Sequence, residues 1–138
     1  MLRYLADTSA WTRSRSTPFV AERWAVLVEL DEIAVCPPVE LEILYSARGP
    51  ADYALRRREL DGLTSVRLSS ADAERALDAQ ALLAERGQHR GPAPADLLIA
   101  AIAERTRLTI LHYDRHFDAI ARVTGQSTEW IARRGTLD

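Results

Sequence analysis

Short apolar runs alternate along the chain with longer stretches in which apolar positions return at helical spacing. Residues 2–6, with Leu2, Tyr4, Leu5 and Ala6, read as a short strand. Asp7, Thr8 and Ser9 then offer N-cap chemistry for a short helix through Trp11. Ser16, Thr17 and Pro18 open a second helix, where Phe19, Val20, Trp24, Leu27, Val28 and Leu30 suit one apolar face. Residues 33–36 read as a second strand. Pro37 and Pro38 stop it and fit the first turn of a helix that carries Val39, Leu41, Ile43, Leu44 and Tyr45 and ends near Gly49. Pro50 opens a further helix with Arg56, Arg57 and Arg58. Residues 66–68 read as a third strand, and Ser69 or Ser70 caps a long helix from 71 to about 86. Residues 87–94, with two glycines and two prolines, read as a loop. An apolar helix over 96–107 and a fourth strand over 108–112 follow. Asp114 or Asp118 begins the next helix, with Phe117, Ile120 and Val123, and residues 126–131 suit a short last strand.

Strands separated by helices imply a mainly parallel sheet covered by helices. The expected fold is therefore α/β: a central, twisted sheet of four to five strands flanked by helices in three layers. No repeat or low-complexity linker interrupts the pattern, and 138 residues suit one domain spanning 1–138. Right-handed crossovers bring the strand C-termini to one edge of the sheet. Ligands bind outside that edge in such folds.

Composition removes several alternatives. The chain is 47% hydrophobic and 28% charged, which excludes a disordered or collagen-like chain. Cys36 is the only cysteine, so neither an intrachain disulfide nor a cysteine-rich zinc site can form. No apolar run reaches the roughly 18 residues of a membrane span, and the N-terminus has no signal-peptide pattern. The expected location is the cytoplasm. The net charge of −2 does not mark a nucleic-acid binder, and all 18 basic residues are arginine, as GC-rich coding favours. The absence of lysine excludes a P-loop and the lysine-dependent aspartyl-phosphate and receiver chemistries, and no G-x-G-x-x-G is present.

The acids are more informative. Asp7 follows the first strand, and Asp114 follows the fourth, two residues past His112. Glu42 lies one to two turns into the helix after the second strand, and Asp96 stands near the start of the apolar helix. Alone, each has a plain structural role on offer: a helix cap for Asp7, Asp96 or Asp114, and a solvent-facing position for Glu42. Together, four segments bring four carboxylates to one edge. Asp96 precedes six apolar residues, so its helix is expected to be buried, and a buried carboxylate needs a cation or a hydrogen bond. Clustered carboxylates repel one another unless a cation neutralises them. Mg²⁺ and Mn²⁺ favour oxygen ligands, and such a site can activate water and support in-line phosphoryl displacement. A phosphodiester is the natural substrate class.

Four stretches now carry a resemblance: Tyr4-Leu5-Ala6-Asp7-Thr8-Ser9-Ala10, Glu40-Leu41-Glu42-Ile43-Leu44-Tyr45-Ser46, Pro94-Ala95-Asp96-Leu97-Leu98-Ile99-Ala100-Ala101 and Leu111-His112-Tyr113-Asp114-Arg115-His116-Phe117. In this order they resemble the PIN-domain ribonucleases, specifically the VapC-type toxins of bacterial type II toxin–antitoxin pairs. The resemblance implies a PIN fold and an Mg²⁺- or Mn²⁺-dependent endoribonuclease acting on tRNA, rRNA or mRNA, which leaves a 5′-phosphate and a 3′-hydroxyl. It also implies a VapB-type antitoxin partner, a homodimer and a toxin–antitoxin hetero-oligomer. Carried over by position, the catalytic and metal-ligating acids are Asp7, Glu42, Asp96 and Asp114. Glu40 competes with Glu42; the two point to nearly opposite sides of a helix. Glu42 is preferred because it directly precedes Ile43, Leu44 and Tyr45, as the family's acid does. Thr8 and Ser9 are candidates for hydrogen bonds that support a ligating carboxylate or a water.

The chain departs from the family pattern twice. His116 stands where many relatives carry a fifth acid, and His112 where many carry Thr or Ser. His116 or Asp118 is the candidate replacement for the missing acid. Arg13 and Arg15 follow the first acid closely and are candidates for phosphate contacts. Trp11 and Trp24 read as core or partner contacts. The alternative function is a noncatalytic PIN-like RNA- or protein-interaction module. Metal-dependent RNA cleavage with and without the four acids separates the two readings.

Overall fold

A computed structural model describes residues 1–137. At its centre lies β1 (Tyr4–Ala6), buried along its whole length. It pairs in parallel with β2 (Ile33–Val35) on one side and β4 (Thr109–His112) on the other. Leu5 stands opposite Ala34 and Ile110 in the two ladders. β3 (Thr64–Ser65) and β5 (Thr128–Trp130) add in parallel at the edges, giving the order β3-β2-β1-β4-β5. Successive side chains of a strand point to opposite faces, yet every residue of β1 and β2 is buried. Both faces are therefore covered, which is why these strands read as unbroken apolar runs.

The cover comes from α1 (Thr8–Ser16), α2 (Pro18–Glu29), α3 (Pro37–Tyr45), α4 (Pro50–Asp61), α5 (Ser70–Glu85), α6 (Pro94–Thr106) and α7 (His116–Thr124). Proline occupies the first turn of α2, α3, α4 and α6, where its missing N–H costs nothing. Among the described residues no helix is long and apolar enough to cross a membrane. The α/β expectation holds, with a five-stranded, wholly parallel sheet.

Three local expectations change. The third strand is residues 64–65 rather than 66–68, because β2 ends at Val35 ahead of Pro37. Val66 still donates to Val35 O at 2.8 Å, but Arg67 and Leu68 pair with no strand. The first helix runs on to Ser16 rather than stopping at Trp11. Asp114, not Asp118, serves the start of α7, but from one residue further out: Arg115 holds the N-cap position with no side-chain cap bond, while Asp114 Oδ1 accepts the His116 N–H at 2.9 Å.

The order of strands positions the site. The chain winds from β1 to β2 and β3 in one direction, then crosses back to place β4 on the far side of β1. The crevice beyond the C-termini of β1 and β4 is thus the topological switch point, where α/β sheets bind ligands. Asp7 directly follows β1, and its N–H donates to Leu111 O of β4 at 2.9 Å.

Candidate active site

Asp7 is the N-cap of α1. Its Oδ2 accepts from the Ser9 N–H at 3.0 Å and from the Ser9 hydroxyl at 2.6 Å. The same hydroxyl oxygen accepts the Tyr113 N–H at 2.9 Å. Ser9 thereby ties the β1–α1 turn to the loop after β4. Thr8, beside it, donates to Glu42 Oε1 on α3 at 2.9 Å. Asp96, in the first turn of α6, accepts the Ala93 N–H on Oδ2 at 2.8 Å. Asp114 accepts the His116 N–H on Oδ1 at 2.9 Å. Glu42, Asp96 and Asp114 are thus each held through one oxygen, and Asp7 by Ser9. Among the described residues, no protein donor engages Oε2 of Glu42, Oδ1 of Asp96 or Oδ2 of Asp114.

These four acids line one open cleft of about 640 Å³, together with Thr8, Ser9, Arg13 and His116. Asp7 is only 4% exposed, and burial pushes its carboxyl up to about 6 against the pull of Ser9, with the Glu42 charge adding to the rise. Asp96 is pushed up to about 7, first by burial and then by the charges of Asp7, Asp114 and Glu42. The cleft is short of positive charge and attracts a proton or a cation.

The donor set fits a hard divalent ion. Its atoms are carboxylate oxygens, and several are left open beside raised carboxyls. Cys36 offers no soft ligand, since burial pushes its thiol up to about 12. Among the described residues, no three His, Cys, Asp or Glu side chains form a ready-made cage.

The structure sorts the remaining candidates. Glu40 does not line the cleft, whereas Glu42 does. Arg13 lines it, with its guanidinium 4.6 Å from the Tyr113 ring centroid. Arg15 does not: it pairs with Glu59 at 3.1 Å and lies over the Trp11 ring. Asp118 does not line the cleft: it accepts the Trp130 Nε1–H at 3.2 Å and meets Arg134. His116 remains at the cleft wall. Trp11 and Trp24 belong to the core. Sequence reasoning missed Thr12 and Ser16, which line the cleft along with Thr8. Their spacing of four residues along α1 is the signal that finds them.

A family model described as "PIN domain" matches residues 4–123. The chain belongs to the PIN-domain family. This PIN domain is 43% identical over 136 residues to Ribonuclease VapC18 of Mycobacterium tuberculosis, covering 97% of this chain and 98% of that protein. It is 41% identical over 137 residues to Ribonuclease VapC51 of the same organism, covering 99% and 98%. Its fold is also similar to that of a chain in the crystal structure of DNA-bound VapBC from Salmonella typhimurium. The TM-score is 0.78 at 18% identity, over 96% of this PIN domain and 100% of that chain.

Proposed function

We propose that this PIN domain is a metal-dependent endoribonuclease, the toxin of a VapBC-type toxin–antitoxin pair, which hydrolyses RNA phosphodiesters at Asp7, Glu42, Asp96 and Asp114. The observation that carries the reading is the convergence of four carboxylates, each held by a neighbouring hydrogen-bond donor, on the crevice at the switch point. The names of relatives that align over nearly the whole chain support it.

Asp7, Asp96 and Asp114 would hold Mg²⁺ or Mn²⁺, with Glu42 direct or through water, and the ion would supply Lewis-acid stabilisation of phosphate charge. A carboxylate of the cluster accepts the proton of the attacking water. The water oxygen bonds to phosphorus, the bond to the 3′-oxygen breaks, and that oxygen takes up a proton. The products are a 5′-phosphate and a 3′-hydroxyl. Ser9 and Thr8 keep Asp7 and Glu42 in place while the cluster's charge changes. Arg13 and His116, on the cleft wall, meet the phosphate of the bound strand.

The partner in this reading is a VapB-type antitoxin, and the chain assembles as a homodimer within a toxin–antitoxin hetero-oligomer in the cytoplasm. Purified protein is incubated with labelled RNA in Mg²⁺, in Mn²⁺ and in EDTA. Cleavage is expected only with metal, and Asp7→Asn or Asp96→Asn abolishes it. Full activity in either variant would sink this site. RNA binding without cleavage by the unaltered protein would favour a noncatalytic interaction module.

A further inference from the structure

A second cavity, of about 310 Å³, adjoins the carboxylate cleft and shares Gly91 and His116 with it. Three arginines line it: Arg115 and Arg122 beside and on α7, and Arg134 beyond β5. All three are exposed. Arg134 reaches one carboxylate, Asp118, at 3.4 Å. Arg115 and Arg122 form no ion pair among the described residues. Other arginines are tied to acids, as Arg75 is to Glu104 and Arg105 to Asp72. Three guanidiniums facing one carboxylate leave this cavity with an excess of positive charge, on a chain whose net charge is −2.

His116 is the saddle between the two cavities. A Cβ at Gly91 would come within 3.3 Å of His116 Nδ1 and 3.4 Å of Gln88 O. The bare backbone at residue 91 therefore lets the loop before α6 close on the imidazole. A strand lying in the carboxylate cleft meets this basic cavity directly across that ring. Guanidinium groups match phosphate oxygens with paired N–H donors, and contacts of this kind hold the backbone without reading sequence.

We propose that the Arg115–Arg122–Arg134 cavity is a phosphate-backbone subsite, which grips the RNA strand on the His116 side of the scissile bond. The proposal rests on the ribonuclease reading for its substrate. It divides labour within one acidic chain: carboxylates at the point of cleavage, and arginines that hold the flanking phosphates.

The test is the double variant Arg115→Gln/Arg122→Gln, at exposed positions where thermal melting should match the unaltered protein. Binding of a fluorescein-labelled, mixed-sequence single-stranded RNA is measured in EDTA across a series of KCl concentrations. The variant should bind roughly fivefold or more weakly at low salt, and the slope of log K against log salt should shrink by about 0.7 for each phosphate that is no longer neutralised. With metal, KM should rise while kcat at saturating RNA stays near the original. Unchanged affinity and slope, in a protein that still cleaves RNA, overturn the subsite and leave the ribonuclease reading standing. Unchanged RNA binding combined with failure to assemble onto an antitoxin overturns it and assigns the patch to a protein partner. Weakened RNA binding by the variant, in a protein that never cleaves, supports the subsite and removes the ribonuclease reading. Failure of the unaltered protein to bind RNA overturns both.

Discussion

Nδ1 of His112 accepts the Asp114 backbone N–H at 3.1 Å, so the last side chain of β4 sets the direction in which Asp114 leaves the sheet. His112 is completely buried, with its ring centroid 5.1 Å from that of Phe117 and 4.9 Å from that of Trp130. Burial pushes its pKa down to about 4, so the ring is neutral near pH 7. An accepting Nδ1 places the proton on Nε2, which finds no hydrogen-bond partner among the described residues. A Ser or Thr hydroxyl offers the same acceptor to the N–H two residues on. The imidazole does this while also filling the space between two aromatic rings.

That double role separates two substitutions. His112→Ala loses the acceptor and opens a cavity, and should cost about 2–4 kcal/mol of stability. His112→Asn keeps a short acceptor near the position of Nδ1. Both variants lose packing, so kcat is compared below both melting temperatures. His112→Asn should retain several times more activity than His112→Ala. Equal kcat values would mean that the bond to Asp114 does not position the acid.

The raised carboxyls give a pH signature that needs no substrate. Asp7 and Asp96 have ordinary values of 3.8 and folded values of about 6 and about 7, set first by burial. Between about pH 4 and 7 the folded protein holds protons that the unfolded chain has released. Stability from these two sites is fully present below about pH 4 and is lost as the pH rises through 6 and 7. Asp96→Asn removes the charge and keeps an oxygen for the Ala93 N–H. In EDTA at pH 8 it should be more stable by about 2 kcal/mol, a rise of roughly 5–10 °C in Tm. The gain should disappear near pH 4. Mg²⁺ should raise the Tm of the unaltered protein more at pH 8 than at pH 5, since protons compete for the same oxygens. Melting curves at the two pH values, with EDTA and with Mg²⁺, test both statements.

The site was legible where chain direction alone fixed a position. Asp7 and Asp114 follow strands that neighbour each other, so the parallel α/β rule brings them to one crevice. What depends on distant partners was not legible. Ser9 and Tyr113 are 104 residues apart, and their hydrogen bond exists only because β1 and β4 pair. Asp118 has the right charge to replace a missing acid, but the Trp130 indole N–H claims it from β5. Arg13 and Arg15 stand two apart on α1; one turns to the cleft and the other to Glu59. The apolar Val66 and Leu68 suggested a strand, but pairing is decided by where β2 stops, and β2 stops at Val35.

Outside the cleft, Asp72 should prove the most costly carboxylate to remove. It is 1% exposed and accepts from Arg105 Nε at 2.8 Å, Arg105 Nη2 at 3.0 Å and the Ser69 N–H at 2.8 Å. Burial alone would raise its pKa, but Arg105 and the Ser69 N–H outweigh it and hold the carboxyl below its usual range. Its contribution to stability is present above the unfolded value of 3.8 and is lost as the pH falls through the lower folded value. Asp72→Ala breaks the ion pair and the N-terminal cap of α5 together, and should cost about 2–4 kcal/mol. Cleavage per folded molecule should stay unchanged, because Asp72 does not line the cleft. Urea unfolding together with kcat, corrected for the folded fraction, checks both halves.

Glu42 and Glu40 provide a sharper comparison, since one helix carries both and only one faces the cleft. Glu42→Gln should lower kcat by about tenfold or more, while Glu40→Gln should stay near the original rate. Thr8 acts through Glu42: it donates to Oε1 at 2.9 Å and leaves Oε2 open. Thr8→Val removes the donor at nearly constant shape and should lower kcat by a smaller factor, whereas Thr8→Ser should restore most of the rate. If the hydroxyl works by orienting this carboxylate, its removal adds little once the carboxylate is gone. The Thr8→Val/Glu42→Gln double variant should then be no slower than Glu42→Gln alone, a coupling that a double-mutant cycle reads directly. Multiplicative losses would instead show that Thr8 acts on something else in the cleft, and that Glu42 is oriented without it.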